Sequence, residues 1–191
     1  MWILPTLVLG SASPRRKELM ERAGFTFEIR PSLYDEVITG EMNAEYVVQH
    51  LAKQKNQAIP SSTNEVVVTA DTVVCQGEKI FGKPKSYEDA YSMLEQLSGK
   101  RHAVYTGVSI RNHNQWVSFV VCTNVYFLSL SQAQLEWYLR KEESWDKAGG
   151  YGIQGAGALL VEKIEGDYNN VVGLPISRLT RELDTFMITP D

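Results

Sequence analysis

Apolar positions along the chain switch between a strand-like and a helix-like period, and the switches mark the elements. Residues 7–10 form a short apolar run and read as the first strand. Ser13-Pro14 then opens a helix, with Ser as N-cap and Pro at the first helical position. Leu19, Met20 and Ala23 give that helix an apolar stripe, and Gly24 stops it. A strand is expected near residues 25–30. Residues 43–59 read as a second helix, with Val47, Val48, Leu51 and Ala52 inward and lysines outside.

Residues 65–75 read as a buried strand, because apolar residues stand on both sides of Asp71. A turn at 76–79 follows, then a helix over 86–98 with a Ser86…Asp89 pair at its start and Gly99 at its end. Two long β segments, 103–111 and 116–130, are joined through Asn112-His113-Asn114 as a hairpin. Residues 131–141 predict a helix. The stretch AGGYGIQGAGALLVEKI reads as a loop running into a strand, and residues 175–186 close the chain as a helix. This is a mixed α/β (α+β) pattern with antiparallel hairpins, not a strict βαβ repeat.

The chain has 191 residues, enough for one domain or two closely packed lobes, and 43% of them are hydrophobic. Neither figure fits a disordered chain. The net charge of -4 argues against a nucleic-acid partner, which would call for a basic excess. Any cations that handle phosphate must be concentrated locally. Cys75 and Cys122 sit in apolar β-rich runs and are expected as reduced thiols. Near the start, positive charges follow the apolar segment instead of preceding it, and Pro5 interrupts it; this is the wrong order for an export signal. No run approaches the roughly 18 apolar residues of a membrane span. The expectation is a cytoplasmic protein with no membrane partner.

Three segments could carry chemistry. Residues 11–17 (SASPRRK) lie where a strand meets a helix, so unpaired backbone N–H groups favour an anion. Arg15, Arg16 and Lys17 in the first turn have the wrong sign for the helix dipole, and a bound polyphosphate would reverse that penalty. The alternative is an ordinary helix start with solvated basic residues. Asp71 is costly to bury without a partner. It could hold Mg²⁺ or take a proton from water, or it could be a hydrogen-bonded structural residue. Asp35-Glu36 is a carboxylate pair in a loop, and by itself fits solvated surface equally well.

Lys53 and Lys55 lie on the second helix, and Lys83 and Lys85 flank Pro84. Gly149, Gly150, Gly152, Gly155 and Gly157 allow backbone amides close to a ligand, though no P-loop or dinucleotide fingerprint is present. The Gln154 amide offers a donor and an acceptor to a base edge. His50, His102 and His113 show no zinc spacing, and no Ser-His-Asp set stands out.

In order and spacing, the blocks LGSASPRRKELMERAGFTF, YDE, LAKQK, ADTVV, GKPKSYEDAYSMLEQLSGKRHAVYTGV and DKAGGYGIQGAGALLVEKIEGDYNNVVGLPIS resemble the Maf family of nucleotide pyrophosphatases. The resemblance spans nearly the whole chain. It implies one domain over 1–191 with an inosine triphosphate pyrophosphatase-like fold: an elongated mixed sheet, with two lobes around a cleft. It implies hydrolysis of a nucleoside triphosphate between the α and β phosphates with a divalent cation, Mg²⁺ or Mn²⁺, and a homodimer.

Residue by residue, the resemblance makes Asp71 the proton acceptor and links Arg15, Thr72 and Gln154 to substrate choice. The Thr and Gln resemble the branch acting on dTTP and UTP. Together with the reading above, Ser13, Arg15, Arg16, Lys53 and Lys83 are expected at the phosphates, and Glu36 and Asp71 at the metal. Gly150 stands where Ala is common in the family. An ITP or XTP pyrophosphatase and a nucleotide-binding regulator of septum formation are the alternative readings.

Overall fold

The computed structural model describes residues 5–34 and 43–191. Its strands are β1 (Thr6–Leu9), β2 (Glu28–Ile29), β3 (Glu65–Gln76), β4 (Lys79–Phe81), β5 (Arg101–Arg111), β6 (Trp116–Phe127) and β7 (Val161–Glu165). Its helices are α1 (Pro14–Arg22), α2 (Ala44–Gln57), α3 (Tyr87–Leu97), α4 (Gln132–Leu139), α5 (Tyr168–Val172) and α6 (Ile176–Asp184). The hydrogen-bonded order is β2-β1-β3-β5-β6-β7, with β4 beside β3. β1 is parallel to β2 and to β3, whereas β4 and β7 run antiparallel to their partners, so the sheet is mixed.

The chain divides into two units. Within the described residues, the first holds 5–71, 106–121 and 173–191, and the second holds 72–105 and 122–172. In the first unit, Val8, Ile59 and Val67 meet in a small core. α2 buries Val47, Val48, Leu51 and Ala52, the expected stripe. It can lie close to β5 because residue 107 is glycine: a Cβ there would stand 2.4 Å from the Val48 carbonyl oxygen. In the second unit, Ala90, Leu94 and Leu97 of α3 join Leu135, Tyr138 and Leu139 of α4 in a hydrophobic core. Full burial of each large aliphatic side chain contributes about 1.5–3 kcal/mol.

Several boundaries differ from the sequence reading. Ser13 has the extended backbone of an N-cap, but its side chain makes no capping bond. Its N–H instead donates to Ser11 Oγ at 3.2 Å. The expected strand at 25–30 is only two residues long, because Phe25 completes the end of α1: its N–H reaches back to the Met20 carbonyl (3.1 Å) past Gly24, which has φ 83. β4 pairs with β3 after a Gly77-Glu78 turn and was not expected as a strand. β6 stops at Phe127. The glycine-rich loop contains two 3-10 turns, Ala148–Gly150 and Gly155–Leu160, and α5 follows β7. The hairpin does turn at Asn112, whose side-chain oxygen accepts from the N–H groups of Asn114 and Gln115. Both cysteines are free thiols.

Candidate active site

In the first unit β1 runs out at Leu9, Gly10 and Ser11 lead into α1, and Arg15 and Arg16 occupy the first turn of that helix. No acidic residue stands in that turn, so no side chain there offsets the positive end of the helix dipole. Arg16 Nε donates to the Gly173 carbonyl (2.8 Å), and its Nη1 to the Ala70 carbonyl (2.8 Å) and to Ser11 Oγ (3.4 Å). Arg16 therefore straps the helix start to the residue before Asp71 and to the segment leading into α6.

The bonds of Arg16 predict a stability cost for its removal. A charged hydrogen bond contributes about 1.5–3 kcal/mol, and in a chain of this size each kcal/mol shifts Tm by about 2–4 °C. Arg16→Ala is expected to lower Tm by about 3–12 °C. Arg15→Ala should raise KM or lower kcat for a triphosphate, through loss of a charged phosphate contact. Calorimetry and steady-state rates on both variants check this; normal kinetics in Arg15→Ala would contradict it.

Asp71 lies in β3 and is 7% exposed. Its carboxylate accepts a short hydrogen bond from Lys55 Nζ, forming an ion pair. The pair is placed by buried polar bonds that pin α2 to the sheet. Thr69 Oγ1 donates to the Ala52 carbonyl at 2.6 Å. Asn56 Nδ2 donates to the Val67 and Ser109 carbonyls (3.0 and 2.9 Å), and Arg111 Nε donates to Asn56 Oδ1 (2.9 Å). A slip of α2 would leave these buried groups unpaired, at about 1–3 kcal/mol each. Lys55 is the lysine at Asp71; Lys53, two residues earlier, makes no ion pair among the described residues. Glu36, expected beside Asp71 at a metal, lies outside the described residues, as does Asp35. Among the described residues no group of three or more His, Cys, Asp or Glu is arranged to hold a metal ion.

The second unit carries Thr72, Lys83 and the glycine-rich loop. That loop is tied to the Lys83 segment by the Gly149 N–H, which donates to the Gly82 carbonyl at 3.0 Å. Lys147 Nζ holds the loop's approach, donating to the Glu143 carbonyl (2.5 Å) and to Asp146 (2.6 Å). The Glu143 carboxylate accepts from the Ala156 N–H at 3.4 Å. At residue 157 only glycine fits, since a Cβ would stand 1.8 Å from the Gly152 carbonyl oxygen. On this constrained loop Gln154 is half-buried, and its side-chain amide makes no hydrogen bond among the described residues. Lys83 is exposed and Thr72 half-buried.

In the first unit, a cation-bearing helix start and a buried carboxylate–lysine pair are each suited to phosphate chemistry; in the second, a glycine-rich loop carries a half-buried amide. The fold is shared with a solved HAM1 protein from Coxiella burnetii, at a TM-score of 0.55 and 12% identity over 95% of this chain and 99% of that one. The model of the Maf family, described as Maf-like protein, matches residues 6–186, and the chain belongs to that family. A Bacillus pumilus protein named dTTP/UTP pyrophosphatase is 47% identical over 96% of this chain and 98% of its own length. A Bacillus cereus (strain ZK / E33L) protein of the same name is 46% identical over 95% and 96%.

Proposed function

We propose that this chain hydrolyses dTTP and UTP to the nucleoside monophosphate and pyrophosphate. The observation that carries the chemistry is Asp71, a nearly buried carboxylate held by Lys55 on a β-strand. The similarity to the two Bacillus proteins supports the choice of substrate.

In the reaction, water attacks the α-phosphorus and the bond from Pα to the bridging oxygen breaks, with pyrophosphate leaving. Asp71 orients the water and takes its proton. Lys55 keeps the carboxylate in place and lends positive charge where negative charge builds up. Arg15 and the Ser13 hydroxyl at the start of α1 bind phosphate oxygens, and Lys53 and Lys83 add charge. Arg16 keeps the Asp71 segment and α1 in register. Thr72 and Gln154 read the base.

A divalent cation, Mg²⁺ or Mn²⁺, fits this set only in a particular way. Asp71 offers one carboxylate, so the ion would be held by Asp71, by Glu36 and mainly by phosphate oxygens and water, as is usual for Mg²⁺ on nucleotides. When bound, it would neutralise the triphosphate and polarise the phosphorus under attack. The reading includes a cytoplasmic homodimer, which rests on the family. No described helix is long and apolar enough to cross a membrane.

Ion-exchange separation of the products tests the cleavage position. dTTP with Mg²⁺ should yield dTMP and pyrophosphate in equal amounts; dTDP and phosphate would refute the reading. The base assignment has its own test. An amide meets the carbonyl and N3–H of thymine or uracil with one donor and one acceptor. Gln154→Glu replaces the donor with a charge and should lower kcat/KM for dTTP by about 10–10³-fold, well short of the 10⁴ or more lost at the best-built polar sites. Its rate on ITP should change little. An unchanged ranking of nucleotides in that variant would remove Gln154 from the base site.

A further inference from the structure

His102 of β5 and Tyr151 of the glycine-rich loop meet inside the second unit, 2% and 5% exposed. His102 Nε2 and the Tyr151 hydroxyl are 2.6 Å apart. The Phe127 ring stands edge-on to both, with centroids at 4.9 and 4.6 Å. The other imidazole nitrogen, Nδ1, is buried with no hydrogen-bond partner among the described residues. Burial holds the imidazole down at about 4, so it is neutral at physiological pH, and it pushes the Tyr151 phenol well above its usual range. The contact is thus a bond between two neutral groups.

An orphaned buried nitrogen is destabilising, and an apolar side chain of similar size would fill the same core. What the imidazole adds is a fixed place for one hydroxyl. Tyr151 stands three residues before Gln154. The chain between them is held again at Gly152, whose N–H donates to the hydroxyl of fully buried Tyr138 at 3.2 Å. The segment is therefore anchored through side chains from β5 and α4, while the Gln154 amide has no bond of its own among the described residues.

We infer that the His102–Tyr151 hydrogen bond is a positioning device for base selection: it fixes the seat of the Tyr151-to-Gln154 segment, and so the reach of the Gln154 amide, without touching the nucleotide. This rests on the reading of Gln154 as the residue that meets the base. The two residues are positioning residues, and loosening them should affect discrimination between bases more than the handling of phosphate. Misplacement by a fraction of an ångström is costly for an oriented contact.

The test uses the full chain as Tyr151→Phe, which keeps the ring and removes the hydroxyl, with His102→Leu and His102→Gln beside it. The Gln amide nitrogen can stand where Nε2 stands. Three quantities are read: kcat and KM for dTTP and ITP, inhibition by pyrophosphate as a base-free probe, and amide hydrogen exchange over residues 151–157. Tyr151→Phe should raise KM for dTTP about 10-fold. It should leave kcat and pyrophosphate inhibition within about 2-fold, and speed exchange in the segment. His102→Gln should restore most of what His102→Leu loses. An unchanged KM for dTTP overturns the inference, and so does a raised KM without faster exchange, which would put the hydroxyl on the nucleotide itself. Gln154→Ala separates the two readings. If it leaves the dTTP-to-ITP ratio unchanged, the base assignment fails; faster exchange in Tyr151→Phe then still supports the anchoring of the segment, and unchanged exchange overturns that too.

Discussion

Asp71→Asn is expected to fold normally and to lose turnover. The amide is nearly isosteric and can still accept a bond from Lys55, so the packing around β3 should survive. It cannot accept a proton at neutral pH and is a poor ligand for a hard cation. Loss of general-base function alone typically costs about 10²–10⁴-fold in rate, and loss of a metal-binding oxygen should add to this. The ligand-free Tm should fall, because the Lys55 ammonium loses its counter-charge, while the retained hydrogen bond keeps the variant folded. Steady-state rates on dTTP together with a thermal scan check the expectation. A folded variant with a large part of the wild-type rate would make Asp71 a structural residue only.

Lys55→Met should have the next largest effect. The Met side chain keeps the packing of the lysine stem and removes the ammonium. Asp71 would then be a nearly buried carboxylate without the cation beside it, and removal of one member of such a pair is destabilising. The variant should lose about 10²–10³-fold in kcat/KM, the usual consequence of deleting a donor at a site of developing charge. Its Tm should also fall. Lys53→Met, on the same helix, is the control for stability and should leave Tm unchanged, since Lys53 makes no ion pair among the described residues. Combining Lys55→Met with Asp71→Asn should recover part of the lost Tm, because the uncompensated charge is gone. Equal losses of Tm from the two lysine variants would mean that the pair is not what places Asp71.

The sequence reading set the lysines of α2 outside, and Lys55, paired with Asp71, departs from it. Lys55 stands three residues after Ala52, four after Leu51 and seven after Val48, and so falls on the buried stripe of α2, whereas Lys53 falls off it. A lysine on an apolar stripe is the unusual observation, and it marks the residue that needs a buried partner. The role of Arg16 was not legible. Charge and position put Arg15 and Arg16 in the same class, and the bonds of Arg16 to Ala70 and Gly173 are long-range. Elements with strong local signals, such as the stripe of α2 and the turn at Asn112, stand where the pattern placed them. β4 and α5 are short and have little periodicity, so nothing local distinguished them from turns. The anchoring of the glycine-rich loop depends on His102 and Tyr138, 49 and 13 residues before Tyr151, a distance over which sequence pattern carries no signal.

The proposed hydrolysis of pyrimidine triphosphates is tested most directly by kcat/KM over dTTP, UTP, CTP, GTP and ITP with Mg²⁺. The expected order places dTTP and UTP at the top, with ITP and GTP at least about 10-fold lower, the scale set by one mispaired polar contact in a base pocket. A protein that prefers ITP or GTP would contradict the assignment of Thr72 and Gln154 to a pyrimidine.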